Sequence, residues 1–202
     1  MTLWYLARAA GVMALVSFTC ATVLGALGSS VRQAGVRFGL EYVHRAAAAT
    51  GLVLLGGHVT AVILDSYVDI GPGVLVWPLG SGYRPFAVLL GALALYALVL
   101  AALAGAARGR LAASAALTRR WRLLHGAAYA GWLLSVGHGL LAGTDRGTGW
   151  MLLIDLACVV AVAAAVMARM WAQANHLERP LTSARTRGRH AVPSHHVQEV
   201  LR

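Results

Sequence analysis

Four histidines stand in two apolar stretches of this chain, at nearly the same spacing in each. Residues 123–143 read L-L-H-G-A-A-Y-A-G-W-L-L-S-V-G-H-G-L-L-A-G, a charge-free run long enough to cross a bilayer as a helix, and carry His125 and His138. Residues 43–64 repeat the design with His44 and His58. Aligned from the first histidine, H-R-A-A-A-A-T-G-L-V-L-L-G-G-H and H-G-A-A-Y-A-G-W-L-L-S-V-G-H differ by one residue in length. Ionisable side chains are expensive inside a membrane, so their presence there points to function. At the helical rise per residue, both separations are about 20 Å. Two parallel spans would therefore hold one histidine pair near each membrane face. Neutral imidazole is a common axial ligand of haem iron, and the arrangement predicts two b-type haems, each clamped by one histidine from each span. Two other uses stay open. The histidines could be interhelical hydrogen-bonding groups, or ligands of zinc, although zinc wants three or four clustered ligands rather than two distant pairs.

The phase is less regular than the spacing. Fourteen residues return a helical side chain to within roughly 40° of its starting direction, whereas thirteen leave it well off that face. The later span is thus expected to distort locally or to present its histidines to differently oriented macrocycles. Gly126, Gly131, Gly137 and Gly139 give it the freedom for either. Arg37, Arg45, Arg119, Arg120 and Arg122 fall near one pair, and Arg8, Arg84 and Arg146 near the other, where each could pair with a haem propionate or simply anchor a helix among headgroups. Trp132 lies about midway between His125 and His138, as a residue packed between two macrocycles or as an ordinary core or lipid-facing aromatic. Asp155 sits inside an apolar span and needs a partner; an ion pair with Arg8 is the simpler expectation, a proton-handling role the alternative.

The elements that must position these residues are membrane helices. Of 202 residues, 59% are hydrophobic and 12% charged, a balance that fits a membrane protein better than a soluble domain. The 23 glycines, with many alanines, allow close helix approach. Cys20 and Cys158 stand alone in separate apolar segments, without Cys-x-x-Cys or Cys-x-x-Cys-His, which removes covalent c-type haem, iron–sulfur clusters and a disulfide scaffold from the leading readings. The single early charge, Arg8, and the lack of a small-residue cleavage site argue against a signal peptide. The net charge of +10 comes from arginines that flank apolar spans, so it speaks for membrane topology and lipid headgroups, not for nucleic acid.

The expected architecture is an all-α polytopic bundle with five transmembrane helices: residues 9–27, 43–64, 85–107, 123–143 and 150–168. The 65–83 loop contains V-L-V-W at 74–77, too short to span and suited to a lid or shallow re-entrant segment. Residues 1–170 form the membrane domain, and 171–202 a basic, flexible cytoplasmic tail. With the N-terminus outside and the C-terminus inside, fourteen arginines lie inside against three outside (Arg8, Arg84 and Arg146), which sets the orientation. The two histidine spans then run in the same direction.

These residues resemble the ferric reductase-like transmembrane domain shared by ferric-chelate reductases, NADPH oxidases and the haem-binding membrane subunit of the bacterial methionine sulfoxide reductase system. The resemblance rests on H-x13-H (His44, His58), H-x12-H (His125, His138), R-R-W-R-L-L-H at 119–125 and R-A-A-G at 8–11, and covers roughly residues 8–170. It implies that His44, His58, His125 and His138 are bis-axial ligands of two b-type haems carrying electrons from the cytoplasmic to the outer side of a bacterial plasma membrane; Arg8, Arg45, Arg122 and Trp132 join them as candidate cofactor contacts on their positions alone. Two departures stand out. Larger members carry a cytoplasmic flavin- and nicotinamide-binding domain, while here about 30 residues follow the last span without a Gly-rich dinucleotide fingerprint. Flavin would then enter only through a separate flavoprotein reductase, or electrons would come from a quinol donor. The family also often shows six spans where five are counted here. The expected function is an electron conduit to an extracytoplasmic acceptor, such as a ferric chelate or a partner reductase. The alternatives are a quinol-linked cytochrome b subunit and a non-redox membrane protein with structural histidines.

Overall fold

The computed structural model describes residues 2–28, 31, 33–66, 68, 70–111, 114–144 and 148–189. Five long helices account for most of it: α1 (Thr2–Gly28), α2 (Ala34–Leu64), α3 (Pro85–Ala106), α5 (Ala115–Ala142) and α6 (Gly149–Arg189), with a single turn, α4 (Arg108–Leu111), between α3 and α5. No strand occurs among the described residues. The chain is all-α, as its composition implies. Four helical segments, Thr2–Gly28, Ala34–Leu64, Pro85–Ala106 and Gly149–Asn175, are long and apolar enough to cross a membrane. The helix carrying His125 and His138 has the length, but its histidines, glycines, Tyr129 and Ser135 dilute the apolar run.

The helices pack as two hairpins, α1 against α2 and α3 against α5, joined where α1 meets α5 and flanked by α6 on α1. The turns have local causes. At the start of α3, Pro85 occupies the first helical position, with its preset φ and no N–H to leave orphaned. Arg84 before it takes a left-handed φ of 42° and turns back. Its guanidinium donates to the Leu141 carbonyl at 2.7 Å, placing a cation on the C-terminal carbonyls of α5. Tyr83 donates to the Ala142 carbonyl at 2.9 Å, so the two ends of the hairpin are tied together. The start of α5 is capped by Ser114, whose hydroxyl accepts from Leu117 N–H at 3.2 Å.

The core lies midway along the helices: Leu15 and Phe18 from α1, Leu98 from α3, Trp132 and Val136 from α5, and Cys158 and Val162 from α6. Gly51 of α2 is buried under Phe18, and a Cβ there would meet the ring at 2.9 Å. Cys158 is buried, whereas Cys20 is exposed on the helix surface. The V-L-V-W loop forms two short 3-10 turns, Pro72–Leu75 and Pro78–Gly80. Tyr96, three turns into α3, donates its hydroxyl to the Leu75 carbonyl. This loop therefore lies alongside α3 rather than standing clear of it. The helix begun at Gly149 continues to Arg189, well beyond the expected end of the fifth span at residue 168. His190, His195 and His196 lie outside the described residues, as does Arg146.

Candidate functional site

The fold brings the four histidines together as two pairs. His44 faces His125 with ring centroids 6.1 Å apart and planes at 74°, and His58 faces His138 at 6.1 Å and 80°. The helices α2 and α5 thus run in the same direction, with the first histidine of one meeting the first of the other. The separation has a chemical meaning. Two imidazoles on opposite sides of one metal, each bound at about 2 Å with roughly 1.1 Å from nitrogen to centroid, hold their centroids about 6.2 Å apart.

Each ring is oriented by a backbone carbonyl of the supporting helix in its own hairpin. His58 Nδ1 donates to Ala7 O and His44 Nδ1 to Ala21 O, both at 2.7 Å and both on α1. On α3, Ala87 O accepts from His138 at 2.7 Å and Ala101 O from His125 at 2.9 Å. A carbonyl can only accept, so Nδ1 carries the hydrogen in each neutral ring and Nε2 is left with its lone pair for a metal. Fixing the tautomer through the second nitrogen is how metal-ligating histidines are generally held. The carbonyl has two lone pairs, so it can accept the ring N–H as well as the helical N–H four residues on.

That fourth residue is a glycine every time. A Cβ at Gly11 would lie 3.0 Å from His58, at Gly25 3.2 Å from His44, at Gly91 2.7 Å from His138 and at Gly105 3.3 Å from His125. The ring lies in the space that a side chain would fill. Carbonyl and glycine form a seat, and it occurs four times. Ala7, Gly11, Ala21, Gly25 and His58 recur 80 residues later as Ala87, Gly91, Ala101, Gly105 and His138. His44 recurs at 125 instead of 124, which is the origin of the thirteen-residue spacing. Of the two expected accommodations, local distortion or differently directed histidines, the helix shows no interruption: α5 runs continuously from Ala115 to Ala142. Both rings still reach their seats.

Between α1, α2, α3 and α5 at the His58–His138 level lies a cavity of about 660 Å³, with both histidines, Gly11 and Gly91 in its wall. Its lining is chiefly apolar and aromatic, including Trp4, Tyr83 and Trp150, with Arg8 among the few polar groups. The loop between α2 and α3 closes one side through Val74 and Leu75. A volume of this order suits a cofactor-sized ligand.

The arginines divide. Arg8 lines the cavity and stacks over Tyr5 at 5.6 Å. Arg84 is committed to the end of α5, as described above. Arg45 is exposed and paired with Glu41 at 2.6 Å, and Arg122 is exposed on α5 next to Trp121 in sequence. Arg37, Arg119 and Arg120 are exposed as well. Trp132 is buried between the two histidine levels, its Nε1–H donating to Thr19 Oγ1 at 2.9 Å. Thr19 in turn donates to Leu15 O at 2.8 Å. The ion pair expected between Asp155 and Arg8 is not formed: Asp155 is buried, and neither of its carboxylate oxygens has a hydrogen-bond partner. It falls on the same face of α6 as Met151, Cys158 and Val162, turned toward apolar neighbours, while Arg8 is turned toward the cavity.

Two parts of the site escape a reading of the chain for chemically active side chains. The carbonyl–glycine seats are one, although Gly11/Gly25 and Gly91/Gly105, each pair fourteen residues apart, left a visible trace. Trp121 is the other. It stacks on the His125 ring at 5.4 Å and 11°, with the Arg108 guanidinium 5.3 Å from the indole ring. Its position one helical turn before His125 was the available signal. Among the described residues, no group of three or more His, Cys, Asp or Glu converges on a common point. No family model matches the sequence, no curated protein matches it, and no solved structure matches its fold.

Proposed function

We propose that this chain crosses a bacterial plasma membrane five times, N-terminus outside, and binds two b-type haems, passing electrons from a cytoplasmic flavoprotein or membrane quinol to an extracytoplasmic acceptor. The observation that carries this reading is the pairing itself: two histidine pairs, each 6.1 Å between centroids, with every Nδ1 engaged by backbone and every Nε2 spare. The interhelical Nδ1 bonds would serve a structural histidine equally well; what favours ligation is that they leave Nε2 unengaged on both members of each pair. The residues fit a haem: each pair would hold its iron through two neutral imidazoles whose Nε2 is unengaged, and the group would supply redox chemistry there. The arginine asymmetry and the resemblance to ferric reductase-like domains agree with this reading.

When bound, the haems supply one-electron redox chemistry. The protein's share is placement. His44 and His125 would hold the inner iron, His58 and His138 the outer, about 20 Å apart along the helices. Ala7, Ala21, Ala87 and Ala101 keep each imidazole in one tautomer and orientation, which reduces reorganisation around the metal. Phe18, Leu98 and Trp132 fill the space between the levels and exclude water. Arg8 offers a cation beside the outer pair for a propionate. The optical spectrum of purified protein, with a pyridine haemochrome assay against protein mass, tests the proposal directly. A reducible b-type spectrum with a ratio near two is expected, and the absence of a b-type band would overturn it.

A further inference from the structure

We propose that Trp121 is a carboxylate-binding group of the inner site, its indole N–H donating to a propionate of the macrocycle held by His44 and His125. This inference rests on the haem reading above. Its starting point is an orphan. Trp121 Nε1 is buried yet has no hydrogen-bond partner, a costly condition for a strong donor. Trp132, the other α5 indole in the bundle, has its partner in Thr19 at 2.9 Å, so the fold satisfies indoles where no ligand is called for.

The orphaned donor is held beside the ligand set. Trp121 is four residues before His125 on α5 and lies nearly parallel to its ring. A group stacked on an axial imidazole sits over the rim of whatever macrocycle that imidazole binds. The surroundings favour an anion. Arg108 lies over the indole, and Glu41 is the acid at hand, 3.3 Å from Arg108 and 2.6 Å from Arg45. Two guanidinium groups on one carboxylate leave the corner with one net positive charge. Donor and cation together are the requirements of a carboxylate site. The only carboxylates a b-type haem carries are its two propionates. Arg108 and Glu41 also latch α4 and α2 together over Trp121, which holds the indole flat against His125.

The test compares haemin with its dimethyl ester, which lacks propionate charge, by following transfer of each from reconstituted protein to a haem scavenger. Release is followed in the wild type and in a His138→Ala background that retains the inner pair. Wild-type inner sites are expected to lose the ester about tenfold faster than the free acid, the factor appropriate to a hydrogen bond from a neutral donor to a charged group. Trp121→Phe keeps the stacked ring without the N–H and should shrink that discrimination several-fold, and Arg108→Gln should shrink it in part. Equal retention of acid and ester by the wild-type inner site would overturn the inference without any variant having to fold, and so would full discrimination in Trp121→Phe. Failure of the protein to take up haemin at all would instead refute the haem reading.

Discussion

Replacing the four seat glycines by alanine should damage the histidine sites in a graded order. The added Cβ would lie 2.7 Å from His138 Nδ1 at Gly91, 3.0 Å from His58 Nδ1 at Gly11, 3.2 Å from His44 Cε1 at Gly25 and 3.3 Å from His125 Cε1 at Gly105. Ordinary heavy-atom contacts sit near 3.5–4.0 Å, so all four are tight and Gly91 is impossible without movement. The ring cannot retreat freely, because its bond to Ala87 O is 2.7 Å long and runs past the same spot. Overpacking of this kind costs about 1–3 kcal/mol, and loss of the Nδ1 bond adds about 1 kcal/mol. Alanine in place of glycine returns about 1 kcal/mol in helix propensity. The net for Gly91→Ala is roughly 1–3 kcal/mol, or about 5- to 150-fold weaker haem retention at the outer pair. At Gly105, where a few tenths of an ångström suffice, propensity and crowding nearly cancel and retention should change less than about threefold. Haem stoichiometry and transfer rates in the four purified variants decide the matter. Retention that is equal across the series, or most impaired in Gly105→Ala, would refute the claim that the glycines seat the rings.

Other consequences follow from the same geometry. His44→Ala and His125→Ala should deplete one and the same redox component in a potentiometric titration and leave the other largely intact; if His44→Ala mirrored His138→Ala instead, the pairing would be wrong. Thr19→Val removes the acceptor of the buried Trp132 indole and should destabilise the bundle by about 1–3 kcal/mol in a reversible unfolding assay in detergent, with haem stoichiometry unchanged. Reduction by a soluble acidic flavoprotein, which would dock on the arginine-rich inner surface, should slow steeply with ionic strength; efficient reduction by quinol that is indifferent to salt would point to the membrane donor. Asp155→Asn should be tolerated or stabilising, because no cation is lost as a partner, and a severe loss of folding yield would show that the carboxylate has a partner after all.

Much of this was written in side-chain types and their spacing. Apolar runs of spanning length, interrupted by glycine- and arginine-rich segments, require membrane helices whatever their packing, because a backbone in lipid must satisfy its own hydrogen bonds. Two histidines about 20 Å apart on each of two such helices, repeated with one residue's difference, already imply two levels of paired histidines. The tertiary structure decided what the partners are. The acceptors of the four Nδ1 groups are carbonyls, which every residue possesses, so no sequence pattern singles out Ala7, Ala21, Ala87 or Ala101 until α1 and α3 are seen lying against the rings. The seat glycines are conspicuous only after that, since a missing side chain has meaning only once the atom in its place is known. The fates of the charged groups were decided at the same level. Arg84 caps α5, Arg45 and Arg108 share Glu41, and Asp155 faces apolar neighbours, because a long or buried side chain binds whatever the packing of other helices brings within a few ångströms, and linear distance along the chain carries no record of that.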